Sequence, residues 1–295
     1  MINIKDAKVF EEARPDLLGL AYRILGSLAD AEDAVQDTFV KWANTDREKI
    51  ESAPAWLRTV CTRRCIDLLR SAHRTRVNYV GAWLPEPVHI PVESDVENQI
   101  DLASSLTTAF LLMLERLTPR ERAAYVLREI FDAPYPEIAR ALDIKETGCR
   151  KLVSRAKVNI SHDNIRNKTT IEHQDRLLAA FQAAVTGGKT EELAGLLSND
   201  IRLSADGGGK VAAILEVLDD KDRVISFLKQ DLHRYWAGHE WLIANINGTR
   251  GIVLKHHNRT VAAVTFAYGE AGETTDIYIV RNPEKLVNLN PVAIH

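Results

Sequence analysis

Cysteine is scarce, with three in 295 residues. Cys61 and Cys65 stand four apart on one face of an expected helix, with no CxxC and no second pair. That argues against a disulfide framework and a paired zinc motif; of the two readings left, a metal or redox role with nearby His73 and small buried hydrophobes in a reducing compartment, the second is favoured. Long apolar runs are also missing. The longest strongly apolar stretch, Ala109 to Leu114, is far short of the ~20 residues that span a bilayer. No basic-then-apolar leader opens the sequence, so a cytoplasmic protein without membrane contact is expected. A strong net charge is absent too: the balance is −3, which by itself argues against a nucleic-acid partner.

Local charge reverses that last impression. Arg58 to Arg76 holds six arginines (58, 63, 64, 70, 74 and 76) against Asp67 alone, a net of +5. Arg140 to Lys168 holds eight bases against three acids, again +5. Residues 28 to 37 carry Asp30, Glu32, Asp33 and Asp37 with no base. Charge is sorted by segment, and two basic patches far apart in sequence point to two contacts with a phosphate backbone. Hydrophobic residues make up 45% and charged residues 27%, the balance of a globular chain long enough for two or three domains.

The stretch PYPEIARALDIKETGCRKLVSRAK (134–157) reads as two short helices at an angle. Ile138, Ala139 and Leu142 line one face of the first. Asp143-Ile144-Lys145 breaks the period, and a second helix starts near Glu146 with Cys149, Leu152, Val153 and Ala156 inward. Glu146, Thr147, Arg150, Lys151, Ser154 and Arg155 then face outward. This is the pattern of a helix-turn-helix whose second helix enters the DNA major groove. Upstream, Val9 to Gly26 and Asp30 to Asn44 read as amphipathic helices. The second of these buries Ala31, Ala34, Val35, Thr38, Phe39 and Trp42 and projects Asp33, Gln36, Asp37 and Lys41. Pro54 opens a third helix, at a favoured first-turn position, with Trp56, Val60, Cys61, Ile66 and Leu69 inward.

These segments carry a resemblance. DAEDAVQDTFVKWA resembles the polymerase-binding helix of region 2 in bacterial sigma factors, and APAWLRTVCTRRCIDLLRS the helix that melts and reads the −10 promoter element. LTPRERAAYVLREIF with the helix-turn-helix resembles region 4, which reads the −35 element. With only these two regions, the chain is similar to the extracytoplasmic-function group. The resemblance implies core RNA polymerase and promoter DNA as partners, and no enzyme activity, cofactor or metal. It assigns Asp33, Gln36 and Asp37 to the polymerase. Arg58, Arg63, Arg64, Arg70 and Arg74 go to −10 DNA, as cations beside separating strands. Glu146, Thr147, Arg150, Lys151, Ser154 and Arg155 go to the −35 groove, some on phosphate and some on base edges.

Between Arg76 and Ser104 the texture is proline-rich, extended and without helical period. Trp83-Leu84-Pro85-Glu86-Pro87 within it should dock on something, since loops seldom expose Trp and Leu together. WLPEP also resembles a signature of the subgroup with a fused C-terminal SnoaL-like domain. Asp206-Gly207-Gly208-Gly209-Lys210 and Asn282-Pro283-Glu284-Lys285-Leu286 match that subgroup's two further motifs. DGGGK lacks the full phosphate-loop pattern and is read as a tight turn leading into a strand.

The expected layout is therefore region 2 over 1–76, an extended linker over 77–103, region 4 over 104–160, a second linker over 161–173 and a SnoaL-like domain over 174–295. The fold class is multidomain: two all-α sigma domains followed by an α+β NTF2-like cone of two helices, strands at 201–203, 211–214, 241–246, 251–256, 260–268 and 275–280, and one intervening helix. Three motifs invite one contact: Trp83 to Pro87, Asp206 to Lys210, and Asn282, Pro283, Lys285 and Leu286. They are expected to bring the C-terminal domain onto the linker or the helical domains and so modulate activity. The alternative is a helix-turn-helix regulator with a ligand-sensing C-terminal domain. For catalysis only Asp206, His233, His239, His256, His257 and Asp276 are available, at spacings that fix no constellation.

Overall fold

The computed structural model describes residues 4–46, 50–76, 79–89, 105–160, 169–236 and 238–289, with the side chains of 72–76 outside that set. The chain forms two compact units, Met1–Val77 with Met113–Asp163, and Asn78–Leu112 with Asn164–His295. Among the described residues no helix is long and apolar enough to cross a membrane.

Among its described residues the first unit has helices and turns and no strand. α1 (Ile4–Leu25), α2 (Leu28–Ala43) and α3 (Ala53–Arg76) pack together. Their shared core includes Leu17, Leu20, Ala34, Trp42, Leu57, Cys61 and Cys65. Ser27 caps α2 by accepting from the Asp30 N–H at 3.2 Å, which stops the chain from running on from α1. The expected apolar stripe of α2 is buried except for half-buried Phe39, which meets Phe10 at 4.9 Å. All three cysteines are free and buried, and burial pushes the Cys65 thiol well up.

α4 (Thr108–Leu114) leads to α5 (Pro119–Tyr125), which starts at a full capping box of Thr118 and Glu121 with Pro119 at the first turn. A π-turn (Val126–Ile130) continues it. α6 (Tyr135–Leu142) and α7 (Glu146–Ile160) form the helix-turn-helix where the apolar spacing placed it. Asp143 ends α6 in the left-handed region at φ 54°, a conformation that Asp and Asn tolerate better than branched residues.

The second unit is an α+β cone. α8 (Ile171–Gly187) and α9 (Glu191–Leu196) precede β1 (Leu197–Asp206). A broken helix follows: α10 (Lys221–Phe227), a π-turn and α11 (His233–Trp236). β2 (Glu240–Ile246), β3 (Thr249–His256), β4 (Arg259–Tyr268), β5 (Thr274–Val280) and the short α12 (Pro283–Leu286) complete it. The sheet runs β1-β5-β4-β3-β2, with β1 parallel to β5 and the other neighbours antiparallel.

Side chains alternate between two apolar layers. Ile277 and Ile279 join the cluster of Phe181, Leu228 and Trp236, whereas Tyr278 and Val280 turn to the opposite face. That second face is covered by Leu84, Ala109, Leu286 and Leu289. The strand expected at Val211–Ile214 does not form. The chain there is irregular, and only Leu203 and Leu218 make an isolated bridge. The preceding turn contributes, since the Val211 N–H that would open the strand is bonded to Gly207 O instead.

Candidate DNA- and polymerase-contacting surfaces and a clamp on the linker

α7 presents Glu146, Thr147, Arg150, Lys151, Ser154 and Arg155 to solvent, while Cys149, Val153 and Ala156 are buried beneath. The six candidate −35 residues thus share one exposed face. Two of the arginines are held lightly: Arg150 lies over the Tyr135 ring at 4.1 Å, and Arg155 approaches Glu121 at 3.3 Å.

The arginines of α3 are engaged more firmly. Arg58 donates from Nε and Nη2 to the two oxygens of Glu137 on α6, at 2.6 and 3.1 Å. Arg63 donates to the carbonyls of Arg140 and Ala141 at the end of the same helix, at 2.6 and 3.0 Å. A helix C-terminus collects unsatisfied carbonyls and partial negative charge, so a guanidinium there is well placed. Arg64 pairs with Asp37 at 2.6 Å, joining a candidate −10 cation to a candidate polymerase contact. Asp33 and Gln36 stay exposed on α2. Arg70 is exposed, and the side chain of Arg74 lies outside the described residues. Trp56 packs against Trp42 at 5.5 Å, as its expected core role requires. Glu137 and the α6 carbonyls were not among the candidate site residues, because their role exists only once α3 and α6 meet.

In the second unit the three unusual motifs converge on one fully buried carboxylate. Asp206 ends β1 and accepts four hydrogen bonds: Oδ1 from the Tyr79 hydroxyl at 2.6 Å and the Gly208 N–H at 3.0 Å, Oδ2 from the Leu84 N–H at 3.0 Å and Lys285 Nζ at 2.7 Å. Lys285 also donates to Leu84 O at 2.5 Å, and its ammonium lies over the rings of Trp83 and Tyr79 at 4.4 and 5.1 Å. Asn282 caps α12 by accepting from the Glu284 N–H at 3.1 Å, and its amide donates to Tyr79 at 3.0 Å. Burial, followed by the bond to Asp206, pushes the Tyr79 phenol up.

The glycines of the turn answer a close approach. A Cβ on Gly208, at φ 61°, would sit 2.3 Å from the Asn282 amide, and one on Gly209 would meet Val80 at 3.2 Å. Gly207 leaves no room either, with Val211 O at 2.5 Å. Lys210 pairs with Glu284 across the two motifs. Leu84, Pro85, Glu86 and Pro87 are buried, Trp83 is half-buried, and Pro283 opens the helix that buries Leu286. A second anchor follows: Val88 exchanges two hydrogen bonds with Asn247, at 2.8 and 2.9 Å. Tyr79 and Asn247 were absent from the sequence candidates. The aromatic before Val80-Gly81 and the Asn-Gly turn are visible in the sequence, but neither names its partner.

The six Asp and His residues considered for catalysis have separate duties. Asp206 belongs to the clamp, Asp276 pairs with Arg202 at 2.8 Å, and the His233 ring contacts Val185 O at 2.7 Å. The His256 ring lies against His239 and meets His257 edge-on. Among the described residues no group of His, Cys, Asp and Glu is arranged to hold a metal ion.

Known proteins resemble the chain in its helical segments and over most of its length. Residues 9–75 match the model of Sigma-70 region 2, and residues 107–160 that of Sigma-70 region 4. The chain is 34% identical over 232 residues to the ECF RNA polymerase sigma factor SigJ of Mycobacterium tuberculosis, spanning 78% of this chain and 74% of that one. It is 29% identical over 276 residues to the "Probable ECF RNA polymerase sigma factor SigI" of the same organism, with 92% of each chain covered. The crystal structure of M. tuberculosis SigJ superposes with a TM-score of 0.73 at 28% identity, over 96% of this chain and 98% of that one.

Proposed function

The chain belongs to the extracytoplasmic-function sigma factors of RNA polymerase, with a SnoaL-like C-terminal domain, and we propose that this domain governs promoter-specific initiation by clamping the segment between regions 2 and 4. One observation carries the reading: the buried Asp206 spends all four of its hydrogen bonds holding Tyr79, Leu84, Lys285 and its own turn together. A carboxylate with no exposed surface and a lysine partner is costly to bury, and a site that keeps such a pair where an apolar contact would serve stability is read here as built for specificity.

The division of labour follows. Asp33, Gln36 and Asp37 meet the polymerase. Arg58, Arg63, Arg64, Arg70 and Arg74 meet the −10 element, and Glu146, Thr147, Arg150, Lys151, Ser154 and Arg155 the −35 element. Arg58 and Arg63 have another occupation in the free chain, the end of α6. They serve DNA only after leaving it, so the free chain is poised in an inactive arrangement and polymerase shifts the population. The clamp adds to this restraint because Tyr79 follows α3 by only a few residues. A tethered domain acts at an effective concentration on the order of millimolar, so modest contacts suffice to bias the equilibrium.

Run-off transcription with core polymerase tests the reading. Asp206→Asn and Lys285→Met in the full chain should each raise the yield at limiting sigma concentration. Equal yields from both variants and the parent chain would remove the regulatory role and leave the clamp a packing feature.

A further inference from the structure

The clamp residues have neighbours that face the other way. Along β1 and the end of β5, side chains alternate, so Asp206 and Asn282 turn to the linker while Ala205, Ile279 and Arg281 turn into the cone. There they line an open cavity of about 300 Å³ together with Ala213, Ile214 and Phe227. That is about twice the ~150 Å³ that accommodates benzene. Its walls are mostly apolar, with one permanent cation. Arg281 Nη1 donates to Ala212 O, but Nε is shielded from water and has no hydrogen-bond partner. That N–H is closed to the cavity as it is to water, so a ligand meets the part of the guanidinium that lines the cavity wall. The other two polar groups, Asp231 and Tyr235, are exposed.

We propose that this cavity binds a small amphipathic monocarboxylate, with the acid group on Arg281 and a ring or short alkyl chain against Ala205, Ile214, Phe227 and Ile279. A carboxylate suits the planar fork of arginine better than a neutral carbonyl, because two parallel charge-assisted bonds replace one. Burial lowers the Arg281 pKa, the mark of a cation that has lost water and gains most from an anion. Asp231 shapes the choice from outside: a second acid group on the ligand would meet it, so dicarboxylates are disfavoured.

The site is wired to the linker. The backbone N–H groups of Arg281 and Asn282 both donate to Asp206 O, at 2.7 and 2.9 Å. Gly81 lies on the outer side of the wall, where a Cβ would stand 3.8 Å from Ile214 O and 3.9 Å from Ala205 O. An acid that draws the guanidinium off Ala212 O loosens the loop that supports the glycine turn. This coupling rests on the regulatory reading above, whereas the binding does not.

Calorimetry on the full chain tests binding with 4-phenylbutyrate, hexanoate and octanoate as probes, and 4-phenylbutanol and adipate as controls. The monocarboxylates should bind, and the alcohol and the diacid should bind at least about tenfold more weakly. Arg281→Gln should cost the same factor while the circular dichroism spectrum is unchanged. Ile214→Phe, which fills the cavity and leaves Arg281 in place, should abolish binding. The proposal is overturned if acid and alcohol bind alike, if Ile214→Phe binds as the parent does, or if no monocarboxylate binds at millimolar concentration. Any of these results leaves the clamp reading standing, since binding is measured without transcription.

Discussion

Replacing Asp206 with asparagine should free the residues that follow α3. The change keeps the volume and removes the charge, so its cost is read from the hydrogen bonds. Oδ2 faces two groups that only donate, the Leu84 N–H and the Lys285 ammonium. Oδ1 faces the Tyr79 hydroxyl, which can rotate to accept, and the Gly208 N–H, which cannot. The amide NH₂ therefore turns to the Oδ1 side and leaves the Gly208 N–H unpaired. An unsatisfied buried donor costs roughly 1–3 kcal/mol, and a bond to a charged group contributes about 1.5–3. Lys285 keeps Leu84 O and the Trp83 ring, and its side chain is 12% exposed, which trims the loss. A total of roughly 3 kcal/mol results, equivalent to on the order of 100-fold in the opening equilibrium. Amide hydrogen exchange reads this directly, because the Leu84 N–H is bonded to Asp206 itself. Exchange at Leu84 should accelerate by about two orders of magnitude, with much less change at Ala263 or Val264 in the middle of the sheet. Unchanged protection at Leu84 would refute the reasoning, since the carboxylate would then not be what holds the linker.

Four further outcomes are expected. Glu137→Gln should lower the stability of the helical unit by about 1–2 kcal/mol in urea, since the Arg58 fork loses one of its two acceptors in a pair exposed by only 29% and 8%. Asp37→Asn, breaking an ion pair exposed by 37% and 46%, should cost no more than a few tenths; equal costs would mean that burial does not decide the difference. Gly208→Ala should lower the melting temperature of the cone by an amount corresponding to at least ~1–3 kcal/mol, from the positive φ and the collision with Asn282; a neutral result would show that the turn shifts freely. The fourth outcome concerns pH. The folded Tyr79 phenol holds its proton more tightly than the ~10 of a free tyrosine, so its contribution is fully present below that pH and lost as pH rises through the raised value. Melting temperatures from pH 8 to 11 should thus fall more steeply for the parent chain than for Tyr79→Phe.

Much of the layout was legible because it rests on local periodicity. The stripe of Ile138, Ala139 and Leu142 followed by Cys149, Val153 and Ala156 has one solution as paired helices, and the six outward residues of α7 follow from the same spacing. Glycines 207 to 209 announced a turn without their partners, since a glycine records that space is short and not what fills it. The missing strand at Val211–Ile214 shows the limit of pattern: Ala212, Ala213 and Ile214 line a cavity wall, and the turn before them takes the Val211 N–H.

Strand β4 held a clue to its own surroundings. VAAVTFAY (261–268) does not alternate between apolar and polar, so an antiparallel strand with that composition must be covered on both faces. What covers the second face could not be read from the strand. The sequence by itself determined the two basic helices, the class of the C-terminal cone and the three motifs out of place on a bare surface, because each depends on neighbours a few residues away. Only the tertiary structure decided that Asp206 gathers those motifs, and that Arg58 and Arg63 rest on α6. It alone showed that Arg281 stands beside an open cavity. Buried charge has to find its partner wherever the fold supplies one, and the partners of Arg58, Arg63 and Asp206 across the fold lie 77 to 127 residues away along the chain.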